Sequence, residues 1–264
     1  MFKKKNPLIL GLICGAMIFT FTACGSDSGS EAFEKHAIPY PDGYVLDEAG
    51  ASSYDGCEDH FDSPYWTHID YYNMTSKDSL TIIPEFETYQ QSTEYTCGPC
   101  SALMVLNHYD IHKYDELQIA ELSGTDSENG VGVNGIAQFF EGIGWDVQRS
   151  TAGEATFDVY TDDMATVKFI KWVKKNLKND TPIMVDWIDW AGHWQVIIGY
   201  DTMGTKDDIG DDVIIVADPY DTSDHYQDGY FTVPAERFFY MWQEGVTLLG
   251  EPEPQPWVIA TPAE

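Results

Sequence analysis

Gln91-Ser92-Thr93-Glu94-Tyr95-Thr96-Cys97-Gly98-Pro99-Cys100 runs straight into the apolar stretch Ser101 to Tyr109, and the reading of this run decides the fold. The apolar spacing after Pro99 is that of a helix, with Cys97 in its first turn. There the unpaired backbone N–H groups and the helix dipole favour negative charge, so a thiolate is more accessible than on a free cysteine. Gln91, six positions upstream, is placed to fold back beside the sulfur and donate to an oxygen that becomes negative during acyl transfer. Such chemistry also needs a base.

His193 supplies one. It opens Gly192-His193-Trp194-Gln195-Val196-Ile197-Ile198-Gly199-Tyr200-Asp201, a run rich in β-branched and aromatic residues that reads as a buried strand. A second apolar run, Val213 to Ala217, ends at Asp218-Pro219-Tyr220. The turn-rich stretch Asp201 to Asp212 suits a hairpin loop, which sets the end of one strand near the start of the other and lets His193 and Asp218 meet. Nucleophile, base and orienting acid together are the logic of covalent acyl transfer. Asp201 and Asp221 are alternatives for the third member.

Gln91, Tyr95-Thr96-Cys97-Gly98-Pro99 with Ser101 to Leu106, the Gly192-His193 strand and the Asp218-Pro219-Tyr220 strand end resemble stand-alone relatives of the bacteriocin-processing, double-glycine cysteine peptidases. The resemblance covers roughly Pro84 to Trp242 and rests on several separated elements in the right order. It implies an α+β, papain-like fold, a helical half carrying the nucleophile against an antiparallel sheet carrying His and Asp. It also implies Cys97 as nucleophile, His193 as base and acid, Asp218 as orienting acid, Gln91 as oxyanion donor, a peptide or protein substrate, and a thioester intermediate. Two departures stand out: Thr96 where transporter-linked members usually carry Asp, and Cys100 where a small residue is usual. No transporter segments accompany the domain, so the double-glycine leader specificity of those members is not assumed.

Three other functions compete for the same residues. Papain-like relatives include acyl or γ-glutamyl transferases using the same Cys, His and Asp. Cys97-Gly98-Pro99-Cys100 is also the thioredoxin redox motif, but Gln90 to Thr96 is not strand-like and Pro182 lies too far along for the cis-proline of that fold. A non-catalytic surface binding protein on the same fold is the third. Cys100 and Cys57 are candidate redox partners that would cap the nucleophile as a reversible disulfide.

Lys3, Lys4 and Lys5 precede an apolar stretch from Pro7 to Phe21, and Thr22-Ala23-Cys24-Gly25 follows. The stretch is short for a membrane span, and small residues before a cysteine resemble a bacterial lipobox. Residues 1–23 therefore read as a lipoprotein signal peptide, Cys24 as the lipidated first residue, 24–35 as a flexible tether, 36–79 as an irregular extension, and 80–264 as the peptidase domain. The expected location is the extracytoplasmic face of a bacterial cell membrane, with membrane contact only through that anchor. The formal charge is −30, and removing a leader with three lysines and no acids takes it to −33. Such a field argues against nucleic acid as a partner. No cofactor or metal is expected; Cys57-Glu58-Asp59-His60 lacks a second ligand cluster. Oligomeric state stays open.

Elsewhere the pattern predicts helices at Asp115–Leu122, Asn134–Glu141, Thr166–Lys178 and Ala235–Trp242, and strands at Pro182–Asp186, Trp194–Asp201, Val213–Ala217 and Tyr230–Val233. Val167, Ile170, Val173 and Leu177 form the apolar side of the clearest helix, with Lys168, Lys171, Lys175 and Lys178 on the other. Trp187, Trp190 and Trp194 are candidates for a substrate groove or for core.

Overall fold

The computed structural model describes residues 36–46, 50–51, 64–65, 67–222, 226–243 and 253–263. The signal segment, the tether, Cys24 and Cys57 lie outside the described residues. Helix α1 (Cys97–His108) is apolar all round, and every residue from Gly98 to Leu106 is buried. A helix of that kind cannot sit on a surface. It is enclosed by α2 (Glu116–Ser123), α3 (Val133–Gly142) and strand β4 (His193–Asp201).

The described strands form one antiparallel sheet: β1 (Leu80–Ile82), β2 (Trp145–Arg149), β3 (Ile183–Trp187), β4, β5 (Val213–Ala217), β6 (Tyr230–Pro234) and β7 (Trp257–Pro262). Their order is β2-β7-β3-β4-β5-β6. β4 is long enough for two neighbours along one edge: β3 pairs with His193 to Ile197, and β1 with Gly199 to Asp201. The hairpin expected between β4 and β5 forms with Val196 opposite Ala217 and Asp201 opposite Val213, so the start of β4 lies beside the end of β5.

Helices α4 (Ala165–Lys178) and α5 (Ala235–Gln243) cover the sheet with a cluster of rings, Phe157, Phe169, Trp172, Phe238 and Trp242. On α4 the buried residues include Val167, Ile170, Val173 and Leu177, with Phe169 added to that stripe. Three strands lie outside the sequence expectations. β1 is three residues long, β2 is short and mostly exposed, and β7 comes from a proline-flanked stretch near residue 260 yet sits between β2 and β3.

The extension packs on the segment that carries Gln91. Ile38 donates its N–H to Thr88 O at 2.8 Å, and the Tyr40 hydroxyl donates to Gln90 O at 2.6 Å. A Cβ on Gly50 would fall 2.4 Å from the carbonyl oxygen of Ser92, so only glycine permits that approach. Among the described residues no helix is long and apolar enough to cross a membrane.

Candidate active site

Cys97 is the first residue of α1 and is half-buried. The helix has no side-chain cap and no acid in its first turn, so its leading N–H groups remain available near the thiol. Thr96, at the capping position, turns its hydroxyl elsewhere: it donates to the Glu116 carboxylate and lies 2.7 Å from Thr93 Oγ1. Glu116 is fully buried at the start of α2, and both its oxygens accept from the Ser92 N–H, at 2.9 and 3.1 Å. Burial pushes its carboxyl up, while hydrogen bonds from Thr96, Ser92 and Tyr89 pull it back. One buried acid thus clamps the whole loop between Gln91 and Cys97. Close packing fixes the helix start as well, because a Cβ on Gly98 would lie 2.4 Å from Val131 Cγ1.

A short 3₁₀ turn, Asp189–Ala191, leads into Gly192 at φ 131°, a backbone conformation that L side chains rarely adopt. It delivers His193 to the head of β4. His193 Nε2 lies 2.7 Å from Asp218 Oδ1, which leaves Nδ1 as the ring nitrogen for Cys97. Burial disfavours the imidazolium. The charge and hydrogen bond of Asp218, with a hydrogen bond and charge from Cys97, outweigh it and hold the imidazole well above its ordinary value. The structure therefore brings Cys97, His193 and Asp218 together. Asp201 instead accepts from the Met203 N–H, and Asp221 from the Gly229 N–H.

Gln91 is 1% exposed. Its N–H donates to Pro219 O at 2.8 Å and its Nε2 donates to Thr93 O at 2.7 Å, leaving one amide hydrogen free. Its Oε1 is enclosed without a partner. The neighbouring Gln90 ties this segment to the acid: Nε2 donates to Asp218 O at 3.0 Å and Oε1 accepts from the Asp221 N–H at 3.1 Å.

Four buried residues around this site have roles that sequence reasoning did not find, although Trp187 was singled out there as a candidate for groove or core. Gln195 donates through Nε2 to Asp218 Oδ2, and Trp187 donates through Nε1 to Gln195 Oε1, each at 2.8 Å. Glu116 is the third. Asp186 is the fourth, with Oδ1 buried and unpartnered and a hydrogen bond from the His193 N–H. Burial pushes Asp186 up to about 7; the charge of His193 opposes this and Glu253 adds to it. A polar side chain inside an apolar strand run was the available signal for Gln195 and Asp186.

Trp187 and Trp194 are buried at 3% and 1%, so they belong to the core rather than to an open groove; the Trp190 side chain lies outside the described residues. Cys97 and Cys100 are both free thiols. Cys100 is fully buried, its Sγ donates to Tyr89 O at 3.2 Å, and burial, followed by the charge of Glu116, pushes its thiol well up. Among the described residues no group of three or more His, Cys, Asp or Glu is placed to hold a metal ion.

A thiol heading a buried helix, against an imidazole from an antiparallel sheet, is the arrangement of a papain-like cysteine peptidase. The Peptidase_C39-like family matches residues 83–246, and the chain belongs to that family. It is a cysteine peptidase, acting on peptide or protein substrates. Among solved structures it is similar to the peptidase domain of Streptococcus ComA, described as a bi-functional ABC transporter involved in a quorum sensing pathway. The likeness is 19% identity over 67% of this chain and 99% of that one, with a TM-score of 0.42. No curated protein matches the chain. Family membership and the all-antiparallel sheet set aside the thioredoxin reading of Cys97-Gly98-Pro99-Cys100.

Proposed function

We propose that this chain hydrolyses peptide bonds through Cys97, His193 and Asp218, with Gln91 as oxyanion donor. The observation that carries the reading is the buried 2.7 Å contact between His193 Nε2 and Asp218 Oδ1, with Cys97 hydrogen-bonded to the same imidazole. Cys97 passes its proton to His193 Nδ1, and Sγ attacks the carbonyl carbon. The oxyanion accepts from the Cys97 N–H and from the free amide hydrogen of Gln91. His193 then protonates the departing amine, and the acyl group stays on sulfur as a thioester. Water gives a proton to the neutral imidazole as it attacks, which releases the carboxylic acid and restores the thiol.

A peptide-library digest with wild type and Cys97→Ala, read by mass spectrometry with and without an added amine acceptor, tests this. Products that gain water and appear only with wild type are expected. Ligated products in excess point instead to acyl transfer, and identical patterns for the two proteins refute the catalytic role of Cys97. The same proposal places the enzyme outside the cytoplasm on a lipid carried by Cys24, reading Thr22-Ala23-Cys24-Gly25 as a lipobox. Labelling of cells with a fatty-acid probe should mark the wild type and not Cys24→Ser; equal labelling refutes the anchor.

A further inference from the structure

We propose that Trp187 and Gln195 are positioning residues: together they lock the Asp218 carboxylate as an acceptor and so fix His193 with Nε2 protonated and Nδ1 open to Cys97. This rests on the triad reading above and deepens it. An indole N–H can only donate, so its 2.8 Å partner in Gln195 has to be the carbonyl oxygen Oε1. That choice dictates the rest. With Oε1 facing Trp187, the NH₂ of Gln195 faces Asp218, where Nε2 lies 2.8 Å from Oδ2. The reversed amide would set two donors head to head at Trp187 and two acceptors head to head at Asp218.

Asp218 Oδ1 meanwhile accepts from the Tyr220 N–H at 2.8 Å and from His193 Nε2 at 2.7 Å. Three donors thus converge on two oxygens, filling three of the roughly four acceptor sites a carboxylate offers. With the imidazole proton held on Nε2, neutral His193 presents a bare Nδ1, the form that can take a proton from the thiol. The side chains of this relay belong to residues at most 3% exposed, so water cannot substitute for a lost partner. One hairpin builds most of it, because Trp187 lies directly opposite His193 across β3 and β4, and Gln195 follows two residues along the same strand.

The test uses the full chain and three variants: Gln195→Leu, Gln195→Glu and Trp187→Phe. Two readouts run against pH, kcat and KM on a peptide selected from the library and the rate of Cys97 alkylation by iodoacetamide, mapped by mass spectrometry. Gln195→Leu should lose about tenfold to a hundredfold in kcat with KM nearly constant, and its pH profile should narrow on both sides. Trp187→Phe should show a smaller loss in the same direction. Gln195→Glu keeps shape and volume. It should work at acid pH, where a protonated Glu still donates to Oδ2, and fail as pH rises and two carboxylates confront each other.

A packing role alone would leave the pH profile of Gln195→Glu unchanged, and that result overturns the proposal even if Gln195→Leu fails to fold. A folded Gln195→Leu within about twofold of wild type overturns it as well. Wild type that neither cleaves nor shows pH-dependent alkylation of Cys97 would instead refute the triad reading itself, so the two failures are distinguishable.

Discussion

Replacing Asp186 by Asn should stabilise the protein, and by an amount that grows with pH. Burial, opposed by the charge of His193 and reinforced by Glu253, raises this carboxyl from 3.8 to about 7. The unfolded chain therefore releases the proton from the lower value upward, while the folded chain keeps it until the higher one. Across that window the native state binds more protons, so stability falls as pH rises. At 1.36 kcal/mol for each pKa unit, the penalty is on the order of 1–2 kcal/mol at about pH 5 and approaches about 4 kcal/mol above about pH 7. Asn cannot ionise. Its NH₂ takes the place of an Oδ1 that already lacks a partner, which adds an offset that does not vary with pH. His193 has a raised folded pKa too, so its contribution is present below the unfolded value and lost as pH rises through the folded one, in both proteins. Urea unfolding of wild type and Asp186→Asn over about pH 5 to 8 should show the advantage of Asn growing by about 2–3 kcal/mol. A difference that stays constant over that range would refute the assignment of a buried, protonated Asp186.

Gln91→Ala should slow turnover on the order of a hundredfold while Cys97 alkylation stays normal, because the oxyanion donor goes and the thiol–imidazole contact remains; equal kcat in the two proteins counts against that role. Glu116→Gln turns one acceptor facing the loop into a donor, so thermal unfolding should register a loss of about 1–3 kcal/mol together with slower catalysis. Unchanged stability and rate would show that the loop holds itself. Gly98→Ala drives a methyl group to 2.4 Å from Val131 Cγ1 and should cost about 1–3 kcal/mol, partly recovered by Val131→Ala. A Gly98→Ala protein as stable as wild type would contradict the packing at the helix start.

The helices and the β4–β5 hairpin were legible because their signals are local. The apolar face of α4 repeats at helical spacing, Gly124 ends α2 in the left-handed conformation, and the Asp201–Asp212 stretch punctuates two apolar runs. Cys97, His193 and Asp218 could be singled out because each sits at the edge of a readable element, and Gln91 by its spacing from Cys97. β7 could not, since its partners β2 and β3 are remote in sequence and prolines flank it. Glu116 was hidden for a related reason: the first turn of a helix ordinarily exposes an acid to the helix dipole, and only the fold shows this one buried under Ser92 and Thr96. Gln195 and Trp187 were visible as residues but not as a pair, because the bond between them exists only once β3 and β4 align.

The placement of β7 has a consequence for biogenesis. Val258 and Trp257 lie opposite Met184 and Val185, and Pro256 O receives the Asp186 N–H, so the strand leading to Trp187 is flanked by residues synthesised well after it. Ribosomes deliver Cys97, His193 and Asp218 well before they deliver the strand β7 that braces β3. Sheet closure of this long-range kind is slow and is completed only when the far segment is present. Until β7 is made, a nascent chain thus carries the Cys97 thiol without a finished scaffold around it, and the sheet beside His193 closes only once Trp257 and Val258 are in place.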